Sequence, residues 1–346
     1  MKAVIYEDVR TLRVGDVEDA KVEEPGDAVI EVTTAAICGS DLHFYHGKVP
    51  LSAGETIGHE GMGIVREVGP EVFRFRPGDR VIMAFDNACG RCWFCRRGQT
   101  ALCDEFKNLG AGMFGGNLGG TQAELTRVPY ADFNLLAVPD GMDDERVLFL
   151  GDILTTGVYA AGIAGIKPGD TVAVVGAGPV GFFAAQAAQL HQPEQVLVLD
   201  TVADRLALAE KVGAIPINVA ERNAASTVDS MTGGRGADVV LECVGQTPAF
   251  ESAVGIVRRG GSICVVGVYT SESTELQLGF SWTRGLTYRF SGICPVPAWW
   301  DQALAAVQDG TIDPLPIISH TLPLSEAVEG YRLFDTREAT KVLLKP

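Results

Sequence analysis

Residues 171–200 read TVAVVGAGPVGFFAAQAAQLHQPEQVLVLD. Thr171 to Val175 is a short apolar run suited to a strand buried on both faces. Gly176-Ala177-Gly178-Pro179-Val180-Gly181 then turns the chain, and an Ala-rich stretch with Pro179 at its start follows as a helix. In such a turn the first glycine permits the bend. The second lets a pyrophosphate approach the backbone, and the third lets helix and strand pack closely. Free N–H groups at the helix start, aided by its dipole, face the phosphates. Asp200 closes the next strand, nineteen residues after Gly181. A carboxylate there binds ribose hydroxyls and repels a 2′-phosphate, which favours NAD over NADP. Arg205, close behind, is able to accept a 2′-phosphate and weakens that preference. Residues 171–190 hold no charge and mimic a membrane span, but three glycines and a proline break them into strand, turn and helix.

Outward from this unit the alternation continues. ADRLALAEKVG reads as a helix and IPINV as a strand. A helical segment near Ala224 to Met231 precedes the strand ADVVLECVG, and a helix near Ala249 to Val257 leads to GSICVVGVY. Strand alternating with helix predicts an α/β, doubly wound parallel sheet, a Rossmann domain. The first 150 residues differ: AVIEVTTAAI, MGIVREVG, RVIMAF and AELTRVP are β-branched runs bounded by Gly, Pro and Asp, the pattern of a β-rich domain. After a helix near Trp299 to Gln308, the Pro-rich tail and KVLLK rejoin that β-rich domain. The expected division is 1–152 with 295–346, and 153–294.

The chain has 346 residues, 47% of them hydrophobic, with mean hydropathy +0.16. That is too apolar for disorder and long enough for about two domains. A net charge of −16 disfavours phosphate backbones and anionic bilayers, so neither nucleic acid nor membrane is an expected partner. MKAVIYEDVR lacks a long apolar targeting core, and the expected location is cytoplasmic.

Four of the eight cysteines, Cys89, Cys92, Cys95 and Cys103, fall within fifteen residues. Four thiolates close a tetrahedral shell, so the spacing favours structural zinc, with iron–sulfur ligation and metal-free thiols as rivals. Cys243, Cys264 and Cys294 read as core cysteines. A second set is scattered: Cys38 in CGSDLH, His59 and Glu60 in GHE, and Asp152 inside the apolar LFLGDILTTG. Each alone has a structural reading. Together, one thiolate, one imidazole and one carboxylate supply the three ligands of a catalytic zinc. A buried Asp152 needs a partner or a metal, and Glu60 is the competing carboxylate.

CGSDLH at 38–43, GHEGMGIV at 58–65, the CGRCWFC lobe with its fourth cysteine, GDILTTG at 151–157 and GAGPVG at 176–181 resemble the zinc-dependent medium-chain alcohol dehydrogenases over nearly the whole chain. Many members place cysteine where this chain has Asp152; the aspartate-using bacterial branch, near NAD-dependent formaldehyde dehydrogenase-like members, is the nearer match. The resemblance implies a GroES-like catalytic domain and a Rossmann coenzyme domain with the active site between them. It implies one catalytic zinc on Cys38, His59 and Asp152, and one structural zinc on Cys89, Cys92, Cys95 and Cys103. Glu60 matches an acid that transiently ligates the metal, Ser40 and His43 a proton relay, and Asp41 the partner of the zinc histidine. The implied coenzyme contacts are Thr156, Gly176, Gly178, Pro179, Val180, Gly181, Asp200, Arg205, Val266, Gly267, Val268 and, at the pyrophosphate, Lys341. Trp93, Phe94 or Phe114, aromatics on loops, are the candidates for the substrate pocket. The expected reaction is hydride transfer between an alcohol and NAD, giving an aldehyde or ketone. Formaldehyde/aldehyde oxidation or dismutation, or polyol oxidation, at the same zinc is the alternative. The expected assembly is a homo-oligomer, a tetramer before a dimer.

Overall fold

The computed structural model describes residues 1–270, 273 and 275–346. The chain forms two compact units. The first comprises Met1–Thr155, Ile293–Val307 and Pro314–Pro346; the second comprises Thr156–Gly292 and Gln308–Asp313.

The second unit is built on a six-stranded parallel sheet. Its strand order is Ile215–Asn218, Gln195–Asp200, Thr171–Val175, Ala237–Glu242, Val257–Val265, Thr287–Phe290. That is the 3-2-1-4-5-6 order of a doubly wound fold, with its switch point between Thr171–Val175 and Ala237–Glu242. Every residue of Thr171–Val175 is buried, as an apolar central strand covered on both faces requires. Gly176 adopts φ +95°, and a Cβ there would stand 2.5 Å from Val244. A Cβ on Gly181 would stand 1.8 Å from the Gly176 carbonyl oxygen, so helix Pro179–Gln189 leaves its strand only if this residue is glycine. The helix Ala224–Met231 matches the expected segment, and Thr247–Ile256 starts two residues before and ends one before the expected 249–257. Strand Thr287–Phe290 leaves no strand signature in the sequence, because three of its four residues are exposed at a sheet edge and it carries no alternation.

In the first unit, a seven-stranded sheet runs His320–Pro323, Val342–Lys345, Ala28–Ala36, Glu60–Val68, Arg80–Met83, Leu135–Ala137, with Leu125–Val128 also paired to Ala28–Ala36. Only the first pair is parallel. Strands Lys2–Asp8 and Thr11–Asp16 pair separately. Ile30, Ile37, Val65, Met83 and Tyr331 belong to its core. The register matters most for function: Ala36 pairs with both Glu60 and Leu343, and Gly61 pairs with Met83. One row across the sheet therefore ends beside Cys38, His59, Phe85 and Lys341. No single helix among the described residues is long and apolar enough to cross a membrane.

Candidate metal centre and coenzyme loops

Cys38 leaves the end of strand Ala28–Ala36, and His59 immediately precedes strand Glu60–Val68. Asp152 arrives differently. It sits at a break, bent by 57°, between the segments Asp144–Gly151 and Ile153–Ile163. Around that break Leu150 is anchored through its carbonyl, which accepts the Trp300 indole N–H at 2.9 Å and the Thr155 hydroxyl at 2.8 Å. Ligand atoms of Cys38, His59, Glu60 and Asp152 all lie within 4.8 Å of one another, and all four residues are buried. Asp152 Oδ2 is 3.2 Å from His59 Nε2 and 3.6 Å from Cys38 Sγ. The Ser40 hydroxyl is 3.0 Å from His59 Nε2 and 3.2 Å from Cys38 Sγ.

His59 Nδ1 lies 3.0 Å from Asp41 Oδ1. Asp41 Oδ2 accepts from the Cys38 backbone N–H at 2.9 Å and from Gln122 Nε2 at 3.1 Å. The Tyr331 hydroxyl donates to Gln122 Oε1 at 2.9 Å. This chain Tyr331–Gln122–Asp41–His59 fixes the imidazole and aims Nε2 at the other donors. Gln122 and Tyr331 carry no local sequence signal, because they reach the site only through the fold.

The electrostatics fit a cation. Burial pushes the Cys38 thiol up to about 11, with Glu60 and Asp152 adding to it. For His59, burial favours the neutral ring, but Asp41 and the other acids outweigh it and raise the imidazole well above its usual range. Both shifts favour the protonated forms where sulfur, nitrogen and oxygen donors converge. A divalent metal replaces the protons and balances a thiolate and a carboxylate.

Lys341 departs from expectation. Its ammonium is fully buried and donates to Glu60 Oε1 at 2.6 Å and to the Ile37 carbonyl at 2.9 Å, with the Phe149 ring centroid 5.6 Å away. A buried ammonium needs such a partner, so Lys341 is committed to the metal cluster rather than presented to a coenzyme pyrophosphate. Burial raises the Glu60 carboxyl while Lys341 pulls it back down. His43 lies on helix Asp41–Tyr45, partly exposed. Burial, then Lys48 and His46, holds its pKa below the ordinary imidazole value.

In the cysteine lobe, sulfurs of Cys89, Cys92, Cys95 and Cys103 also lie within 4.8 Å of one another, with no disulfide among them. Backbone N–H groups of Cys89 and Glu105 point at Cys103 Sγ, and that of Cys95 at Cys92 Sγ. Backbone donors at Cys95 and Asp104 lower Cys92 to about 6, while burial raises Cys95 and Cys103. Four soft donors with no further position make a closed shell. Trp93 and Phe94 stand on this lobe edge to face, with the Arg97 guanidinium 3.8 Å from the Trp93 ring centroid. Phe114 is exposed on the turn Gly112–Gly115.

The coenzyme candidates of the second unit collect at the carboxyl ends of its strands. Gly176, Gly178, Pro179, Val180 and Gly181 form the turn and first helical residues after Thr171–Val175. A Cβ on Gly178 would meet only Arg205 Nη1, at 3.9 Å, so this backbone stays open to approach. Asp200 accepts the Ala177 N–H at 2.6 Å through one oxygen, and those of Thr201 and Val202 through the other. Val266 and Gly267 donate their N–H groups to the Glu242 carbonyl, and Val268 is exposed. Thr156 lies on helix Ile153–Ile163.

Residues 24–140 match the alcohol dehydrogenase GroES-like domain, and 179–309 the zinc-binding dehydrogenase domain. An uncharacterized zinc-type alcohol dehydrogenase-like protein of Bacillus subtilis, AdhB, is 39% identical over the whole of both chains. The chain belongs to the zinc-dependent medium-chain dehydrogenases. The dehydrogenase also superposes on alcohol dehydrogenase TADH from Thermus sp. ATN1 with TM-score 0.95 and 42% identity, covering 100% of this chain and 99% of that one. A zinc-binding dehydrogenase of Sinorhizobium meliloti 1021, crystallised with NADP, is 29% identical with TM-score 0.87, covering 100% and 99%. The dehydrogenase is a zinc-dependent alcohol oxidoreductase that uses NAD or NADP.

Proposed function

We propose that the dehydrogenase oxidises an alcohol to an aldehyde or ketone with NAD, at a zinc held by Cys38, His59 and Asp152. The reading rests on one observation, the different commitments of two buried acids. Asp152 faces the sulfur and nitrogen donors, while Glu60 is paired at 2.6 Å with Lys341. Three protein ligands leave a position for the substrate oxygen. When bound, zinc polarises the substrate hydroxyl and the nicotinamide takes the hydride.

The chain's own residues manage the proton. Ser40, beside both the His59 and Cys38 donor atoms, takes it from the substrate hydroxyl while giving up its own hydroxyl proton. His43, kept neutral and partly exposed, passes it to solvent. Asp41 keeps the His59 proton on Nδ1 and leaves Nε2 free to ligate. Cys89, Cys92, Cys95 and Cys103 hold a second zinc with a structural role. Asp200 makes NAD the preferred coenzyme, against the NADP seen on the Sinorhizobium relative.

Asp152→Ala tests the ligand set. The expected result is loss of alcohol-dependent NAD reduction and a fall in bound zinc from two per chain to about one. NAD binding should survive, because the Gly176–Gly181 turn is untouched. Two retained zincs with near-normal turnover would transfer the third ligand to Glu60.

A further inference from the structure

The mechanism above gives Lys341 no step, yet its side chain and that of Glu60 are both fully buried, 2.6 Å apart. The surroundings of Lys341 are specific. Its ammonium donates to the Ile37 carbonyl, pairs with Glu60 and faces the Phe149 ring. Ile37 precedes Cys38, Glu60 follows His59, and Phe149 lies three residues before Asp152. The same buried cation therefore touches all three segments that deliver a metal ligand.

Glu60 is a fourth donor within reach. One of its carboxylate oxygens lies within 4.8 Å of the Cys38, His59 and Asp152 ligand atoms. Its Oε2 is buried and has no hydrogen-bond partner among the described residues. A carboxylate so placed is attracted to a divalent ion, and a fourth protein ligand closes the shell to an alcohol. Charge balance favours the open arrangement. The Cys38 thiolate and Asp152 carboxylate neutralise the metal, and Lys341 neutralises Glu60. Without Lys341, the metal is the nearest positive charge for Glu60, in surroundings that screen charge poorly.

We propose that Lys341 is a positioning residue that competes with the metal for Glu60 and so keeps the resting shell at three protein ligands. The inference rests on the Cys38–His59–Asp152 shell argued above. It assigns the open coordination position to a side chain at the far end of the sequence.

The test uses the whole protein with cobalt(II) in place of zinc at the Cys38 site. Visible absorption reports the ligand set, and metal loss to a chelator reports its closure. Lys341→Met should alter the cobalt bands, slow metal release by about tenfold and lower kcat. Adding Glu60→Gln should return bands and release rate to wild type, because the surplus ligand is gone. Lys341→Arg, which keeps the charge, should resemble wild type. Wild-type bands and release in folded, fully metallated Lys341→Met would overturn the proposal. So would altered bands that Glu60→Gln does not reverse, since those mark a merely structural role. Should Lys341→Met fail to fold, Glu60→Gln alone decides. Unchanged cobalt bands support the proposal, and changed bands mean that Glu60 ligates even with Lys341 in place. Failure of the underlying shell is seen separately, as two metals retained by Asp152→Ala.

Discussion

At the residue scale, the site is a sorting of buried carboxyl groups. Asp41 orients His59, Asp152 faces the donors, and Glu60 answers Lys341. A fourth, Asp86, has no such counter-charge among the described residues. It is fully buried, with Oδ2 accepting the Thr100 hydroxyl at 3.3 Å and Oδ1 without a hydrogen-bond partner. Burial raises its carboxyl well above the usual range, against the pull of Thr100 and nearby backbone N–H groups. A carboxyl whose folded pKa is raised holds its proton longer in the folded state. Its contribution is full below the unfolded carboxylate pKa and is lost as pH rises through the folded value. Asp86→Asn, neutral at every pH, should match wild type near pH 4 and gain at pH 8. A gain of about 1 kcal/mol, roughly 2 °C in Tm, is expected. Thermal melts of the metal-loaded protein across that range check it; a difference independent of pH would mean Asp86 is charged in the fold.

At the element scale, function sits where strands end. In the first unit, the register Leu343–Ala36–Glu60 and Gly61–Met83 brings together segments far apart in sequence, so that Lys341 meets Glu60 across 281 residues and Ile37 across 304. In the second, the turn after Thr171–Val175 and the end of Gln195–Asp200 are tied by the Asp200 carboxylate to the Ala177 N–H. Asp200 therefore places its carboxylate beside the Gly176–Gly181 turn, with Arg205 near Gly178. Asp200→Gly should lower the ratio of kcat/KM for NAD over NADP by about tenfold or more, the effect of ~1.4 kcal/mol. Parallel initial-rate measurements with both coenzymes check this. An unchanged ratio would remove Asp200 from coenzyme choice and leave it a turn-bracing role.

At the scale of the whole molecule, the second unit ends in an edge that a lone chain leaves open. Strand Thr287–Phe290 pairs on one side with Val257–Val265 and presents Phe290 at 70% exposure. Leu278 and Trp282, on the nearby segment Leu278–Arg284, are 71% and 84% exposed. An edge strand carrying apolar side chains is a template for pairing with another chain. The expected occupant is a second copy, the homo-oligomer expected from the sequence. Light scattering should return a mass above one chain for wild type, falling towards one chain in Phe290→Lys. A monomeric wild type would leave this edge without a self-association role. The net charge of −16 opposes association at long range, so assembly should strengthen with salt.

Local signals carried the α/β unit by themselves. A strand, a glycine turn and a helix interact over a few residues, so TVAVVGAGPVG and Asp200 are legible without knowing what surrounds them. The cysteine lobe was legible for the same reason, since its four donors fall within fifteen residues. The grouping of Cys38 with His59 and Asp152 came from residue chemistry and family resemblance, which favoured Asp152 over Glu60 as the third ligand. Tertiary structure decided the pairings. Only sheet register puts Lys341 on Glu60 instead of at a phosphate, and only packing brings Tyr331 and Gln122 behind Asp41. A buried charge is neutralised by whatever the fold brings within a few ångströms, and that distance is set by long-range strand pairing, not by any neighbour in the sequence.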